Sequence, residues 1–135
     1  MREVSRQPSG DRVLIVEDEP DSRICLCQLL RTLGYNCVGA ANGADALDLA
    51  RTFRPQAIIM DLMMPVLDGW EATRRLKADR TTRGIPVLAL TSSVSPDDRR
   101  EARRAGFDDF LTKPADFDQL LLHLRQHLAH ASSHS

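Results

Sequence analysis

Short solid runs of apolar residues alternate along this chain with stretches in which apolar residues recur every three or four positions. Arg12–Val16 (RVLIV) reads as a short buried strand. From Pro20 to Leu33, the residues Ile24, Leu26, Leu29, Leu30 and Leu33 fall at helical spacing, and Gly34 stops the helix. Asn36–Ala40 is a second strand, weakened by Gly39. Ala44–Phe53 is a helix with Ala46, Leu47, Leu49 and Ala50 near one side. Gln56–Met60 (QAIIM) is a third strand, and a loop holding Pro65 and Gly69 leads into a helix from about Asp68 to Ala78. Gly84 and Pro86 introduce a fourth strand, Val87–Leu90. Ser95-Pro96-Asp97-Asp98 joins a hydroxyl cap, a proline at the first helical position and acids in the first turn, so a helix starts there and ends at Gly106. Phe107–Thr112 is the fifth strand and Ala115–Ala129 the last helix.

A strand followed by a helix therefore repeats five times. Solid Val/Ile/Leu strands are covered on both faces, as in parallel sheets, and right-handed crossovers place helices on both sides. The expected architecture is α/β: a flavodoxin-like, doubly wound (βα)5 sandwich around one five-stranded parallel sheet. In such folds the working site lies beyond the carboxyl ends of the strands. Residues 12–129 form the domain. The polar residues 1–11 and 130–135 are expected to be flexible ends.

The length of 135 residues fits one domain. Eighteen Lys and Arg against nineteen Asp and Glu give a net charge of −1, so no global field draws the chain to nucleic acid or an acidic membrane. Cys25, Cys27 and Cys37 form no metal-finger spacing and read as small buried hydrophobes in a reducing compartment. No apolar run has the ~20 residues of a membrane helix, and the polar start is not a secretory signal. A cytoplasmic location is expected.

The strand ends carry the chemistry. The first strand ends in Glu17-Asp18, the third in Asp61, the fourth in Thr91-Ser92 and the fifth in Thr112-Lys113-Pro114. Three clustered acids repel, and Lys113 offsets only part of that charge. A hard divalent cation offsets more. Mg2+ fits best, because it keeps several waters and tolerates one or two carboxylates plus a phosphate oxygen. Such a site suits phosphoryl transfer, in which a carboxylate nucleophile forms an acyl phosphate. Asp61, on the central third strand, is the candidate nucleophile. Glu17 and Asp18 are metal-side acids, Thr91 is the hydroxyl that meets the phosphoryl group, and Lys113 is the counter-charge.

Four motifs in order, VEDEP, MDLMMPVLDG, LALTS and FLTKP, resemble those of the receiver domain of two-component response regulators. The spacings from Asp18 to Asp61, Thr91 and Lys113 match as well, and the similarity covers about residues 11–129. The resemblance implies strand order 2-1-3-4-5, and phosphorylation of Asp61 by a sensor histidine kinase or a histidine phosphotransfer protein. It implies Mg2+ on Asp18, Asp61 and the backbone carbonyl of Met63, with Glu17 acting through water. It also implies a switch in which Thr91 moves toward the phosphoryl group and Phe110 swings inward, and a cis Lys113–Pro114 bond. Phe110 stands where a Tyr would offer a hydroxyl. Ser92 replaces a common Ala, and Met63 and Ser93 flank the site.

Since the chain ends after the fifth helix, a stand-alone receiver is expected, monomeric or weakly dimeric. It would switch partner binding through the face of the fourth helix, fifth strand and fifth helix, or relay phosphate. A phosphate-independent pseudo-receiver and an aspartyl-phosphate phosphatase are the alternatives. For the phosphatase, Met63 stands where a second acid is often found, so only slow turnover is expected. Arg99, Arg100, Arg103 and Arg104 read as a solvated helix face, and so do Arg74, Arg75 and Lys77. His123 and His127, four apart, read as surface residues with no third metal ligand in sight. Trp70 reads as packing.

Overall fold

The computed structural model describes residues 10–62, 67–91, 96–112 and 117–133. Among them, five strands alternate with five helices: β1 (Arg12–Val16), α1 (Pro20–Thr32), β2 (Asn36–Ala40), α2 (Gly43–Thr52), β3 (Ala57–Asp61), α3 (Gly69–Ala78), β4 (Val87–Thr91), α4 (Pro96–Ala105), β5 (Asp109–Thr112) and α5 (Phe117–Ser133). The strands form one parallel sheet in the order β2-β1-β3-β4-β5. This is the expected doubly wound fold and strand order.

The two-residue strand period explains why the strands are apolar throughout. Val13, Ile15, Ile59, Leu88 and Leu90 enter one core with Leu30 of α1 and Leu120 and Leu124 of α5. Their neighbours Leu14, Val16, Ile58, Met60 and Ala89 enter the other with alanines of α2, α3 and α4. Each fully buried Leu or Ile contributes about 1.5–3 kcal/mol relative to exposure, so neither face tolerates a polar position.

Helix ends follow local chemistry. Glu19 caps α1 by accepting from the Ser22 N–H at 2.9 Å, and Pro20 sits at its first turn. At the other end Gly34 takes φ 96°, its N–H donates to Arg31 O, and the Tyr35 N–H donates to Leu30 O. This pair of bonds satisfies the last carbonyls through a left-handed residue that favours glycine. Gly106, at φ 108°, ends α4 in the same way, with the Phe107 N–H donating to Ala102 O.

Several boundaries differ from the sequence reading. β5 begins at Asp109 rather than Phe107, because the Phe107 N–H is bound to the end of α4. β3 lies one residue later than read, at Ala57–Asp61, and β4 extends one residue, to Thr91. α5, described as Phe117–Ser133, runs on through residues expected to follow it, and its expected start at Ala115 lies outside the described residues. The expected cap Ser95 lies outside the described residues. The apolar stripe assigned to α1 is also corrected. Leu30 of that stripe is buried and Leu26 and Leu33 pack against the core, but Ile24 and Leu29 are exposed, and Cys27 is buried beside Leu30. Cys25 is exposed, unlike its two companions. With α1 packed on only one side, alternate apolar positions are left on the solvent side.

This distinction is testable by urea denaturation. Leu30→Ala should lower stability by about 2–5 kcal/mol, the range for a buried Leu truncation. Leu29→Ala, next to it but 40% exposed, should cost under about 1 kcal/mol.

Candidate functional site

Parallel register delivers the acids to one edge. Val16 lies between Ala40 and Met60, Asp61 lies beside Leu90, and Thr91 lies beside Thr112. The residues that follow β1 and those that end β3, β4 and β5 therefore emerge side by side. Pairing continues past the strands: the Glu17 N–H donates to Ala40 O at 3.0 Å, and the Leu62 N–H to Leu90 O at 3.1 Å. The Arg23 guanidinium donates to Glu17 O at 2.8 Å and reaches Asp18 O at 3.5 Å, which holds this loop over the start of α1. Beneath Asp61, Gly69 opens α3. A Cβ there would lie 2.3 Å from Asp61 O, so only glycine lets the helix come so close.

Glu17, Asp18 and Asp61 each bring a carboxylate oxygen within 4.8 Å of the others. Glu17 and Asp61 are 4% and 5% exposed, whereas Asp18 faces solvent. Glu17 Oε2 also accepts from the Glu19 N–H at 3.2 Å. Two like charges at 4 Å repel by about 4 kcal/mol even at an effective dielectric near 20. A bound cation removes that penalty. The donors are all carboxylate oxygens, and the exposed side at Asp18 leaves room for water. That set fits Mg2+, which binds through one or two carboxylates and keeps several waters.

Thr91 ends β4 and is buried at this same edge. Phe110 lies back along β5, beside Ala89, and is half-buried. The Arg99 guanidinium stands 5.8 Å from its ring centroid. Lys113, Pro114, Met63, Ser92 and Ser93 lie outside the described residues. The structure thus brings together Glu17, Asp18 and Asp61, with Thr91 at the adjoining strand end, while Phe110 sits apart on the α4 side.

Comparison with known proteins shows the family. The model of the response regulator receiver domain matches residues 13–125. The chain belongs to the response regulator receiver domain family. The protein PilH of Pseudomonas aeruginosa is 40% identical over 110 residues, 82% of this chain and 91% of PilH. The polar-differentiation response regulator DivK of Brucella anthropi is 34% identical over 119 residues, 88% of this chain and 97% of DivK. Of other curated relatives the chain spans about half the length, 52%. Among solved structures, the receiver domain of the Pseudomonas aeruginosa sensor histidine kinase PA1611 has a magnesium ion coordinated in its active-site cleft. It aligns with TM-score 0.81 and 37% identity, over 89% of this chain and 98% of that one.

A second polar group on this receiver was invisible in the sequence. Asp109 Oδ2 accepts from His123 Nδ1 at 2.7 Å and from His127 Nε2 at 3.0 Å. The two histidines of α5 are thus anchored to β5 instead of standing free at the surface. Beside them a cavity of about 320 Å³ opens between α4 and β5, lined by Arg99, Arg103, Phe110 and His123. Burial alone would raise the Asp109 carboxyl. Hydrogen bonds from His123, from the Phe110 N–H and from His127 outweigh it and hold the carboxyl below its ordinary range.

Two outcomes are expected. Mg2+ should raise the melting temperature of the wild type, approaching about 2.7 kcal/mol of added stability at a hundredfold excess over Kd. In calorimetry, Asp18→Asn should lose most of that gain. Asp109 contributes stability that is complete above the unfolded carboxylate pKa of about 3.9 and is lost as pH falls through its lower folded value. Asp109→Asn should therefore flatten the fall in urea midpoint below about pH 4, and at neutral pH Asp109→Ala should cost about 1–3 kcal/mol.

Proposed function

We propose that this receiver accepts a phosphoryl group on Asp61 and uses it to control binding to a partner, or passes it on in a relay. The observation that carries this reading is the meeting of Glu17, Asp18 and Asp61 at the sheet edge, beside Thr91. An Asp61 oxygen attacks the phosphorus of a phosphohistidine on a sensor histidine kinase or phosphotransfer protein. The P–N bond breaks, and the imidazole leaves with the electron pair. Asp18 and Asp61, with Glu17 acting through water and the carbonyl of Met63, would hold Mg2+. When bound, that ion supplies charge neutralisation at the phosphoryl oxygens.

Thr91 donates its hydroxyl to the phosphoryl group, and Lys113 supplies a counter-charge. The new group adds about −1.5 to −2 charge and strong acceptor oxygens, so donors on the neighbouring strand ends gain by moving toward it. That movement shifts the population between two packings of β4, α4 and β5, with Phe110 changing place. The output surface is the α4-β5-α5 face. No turnover of an external substrate follows from this arrangement, beyond slow loss of the phosphoryl group to water. Magnesium in the cleft of the related PA1611 receiver supports the metal assignment. The cytoplasm, where a kinase partner can reach it, is the proposed location.

Incubation with acetyl phosphate and Mg2+ should give acid-labile incorporation of one phosphoryl group. Asp61→Asn should abolish it, and chelation of Mg2+ should reduce it by at least about tenfold. Equal labelling of wild type and Asp61→Asn would remove the assignment. Thr91→Ala should keep the label but lose the shift of Phe110 resonances that phosphorylation produces in the wild type.

A further inference from the structure

The proposed phosphoryl chemistry does not use the buried thiols of α1 and β2. Cys27 Sγ and Cys37 Sγ lie 3.1 Å apart, only about 1 Å beyond the length of a disulfide bond. Both residues are reduced and buried. The chain reversal between them is fixed by the Gly34 turn, whose two backbone bonds tie Gly34 and Tyr35 to the end of α1. A second clamp comes from Arg31. Its Nε and Nη2 both donate to Cys37 O, at 3.0 and 2.7 Å, which pins β2 to the helix beside the sulfurs. Cys25, two residues before Cys27, faces solvent from another side of the helix.

We infer that Cys27 and Cys37 are an oxidation site that closes into a disulfide joining α1 to β2 when the protein meets a hydroperoxide. The Cys27 thiol gives up its proton, the thiolate attacks the peroxide, the S–O bond forms, the O–O bond breaks, and the departing oxygen takes up that proton and leaves as alcohol or water. Cys37 sulfur then attacks Cys27 sulfur. The S–S bond forms, the S–O bond breaks, and the hydroxyl leaves as water with the proton of Cys37. Two thiols lose two electrons, and one hydroperoxide gains them.

Cys27 is the sulfur attacked by oxidant for two reasons. It is the more accessible of the pair, 5% exposed against 1%. The Cys37 S–H donates to it, which outweighs burial and, with the charges of Arg31 and Arg23, holds the Cys27 thiol down to about 7. Donation and burial push Cys37 the other way.

The test uses the full chain. It is treated with hydrogen peroxide under native conditions, blocked with N-ethylmaleimide, digested with trypsin and read by mass spectrometry. The expected product is a 2 Da loss, with fragment 24–31 linked to fragment 32–51 through Cys27 and Cys37 and with Cys25 alkylated. Cys25→Ser should leave the link intact. Cys37→Ser should trap Cys27 as a dimedone-reactive sulfenic acid, whereas Cys27→Ser should leave Cys37 unreactive to dimedone. The oxidised wild type should melt several degrees higher, and dithiothreitol should reverse the shift. Links that run through Cys25, only intermolecular links, or a reduced Cys27–Cys37 pair at doses that fully oxidise Cys25 would each overturn the inference.

Discussion

A parallel sheet covered on both faces has no lateral position in its middle for an ionised side chain, and the central strands are apolar on both sides from Val13, Ala57 and Val87 until they end. Along these central strands charge collects only at the ends, and the acids gather where the strands stop. Parallel pairing makes them stop together, so Glu17, Asp18 and Asp61 arrive at one place with two of them buried. Their mutual repulsion is the constraint the rest of this edge answers. Arg23 holds the loop by its carbonyls, Gly69 lets α3 approach Asp61, and a divalent ion fits this set of carboxylate oxygens.

The same register gives the proposed switch a route. Asp61 pairs with Leu90, Thr91 with Thr112, and Ala89 with Phe110. A change at Asp61 is thus two strands from Phe110, and the residue paired with that ring is the small Ala89. Phe110 is half-buried, under the Arg99 guanidinium of α4. Such a ring can exchange one set of contacts for another at modest cost, unlike the fully buried Leu or Ile of the central strands. In the proposed mechanism, that difference makes β5 the responsive edge and β1 and β3 the fixed frame.

Much of this was legible in the chain because solid apolar runs, glycine stops and the Pro96 helix start are local signals. The edge acids were legible too, since a strand end is marked by the first polar residue after the run. Legibility failed where long-range geometry decides. Ile24 and Leu29 fit a helical stripe but lie on the solvent side of α1. The start of β5 moved because Phe107 is bound to the end of α4. Asp109 meets His123 and His127 across 14 and 18 residues, and no spacing rule links a strand's first residue to a helix's inner face. The strand order came from the family resemblance, as a pattern of repeats alone does not fix it.

The arginines of α4 sort by what they meet, and this bears on the charge of the proposed output face. Arg100 pairs with Asp97 and Arg104 with Glu101, both within the helix, so their charges are locally offset. Arg99 and Arg103 instead line the cavity with Asp108, Asp109, Phe110 and His123. One helix therefore carries a stripe whose charges are offset within the helix and a second stripe, Arg99 and Arg103, that shares a cavity with two acids and borders the aromatic ring proposed to move. A ring and a guanidinium attract by about 0.5–1 kcal/mol at an exposed site. That is small enough for either a partner's carboxylate or a repositioned Phe110 to outcompete it. In the proposed mechanism, displacement of Phe110 would take the ring contact away from the exposed Arg99 guanidinium, so a rearrangement of apolar packing changes what a charged group of α4 meets.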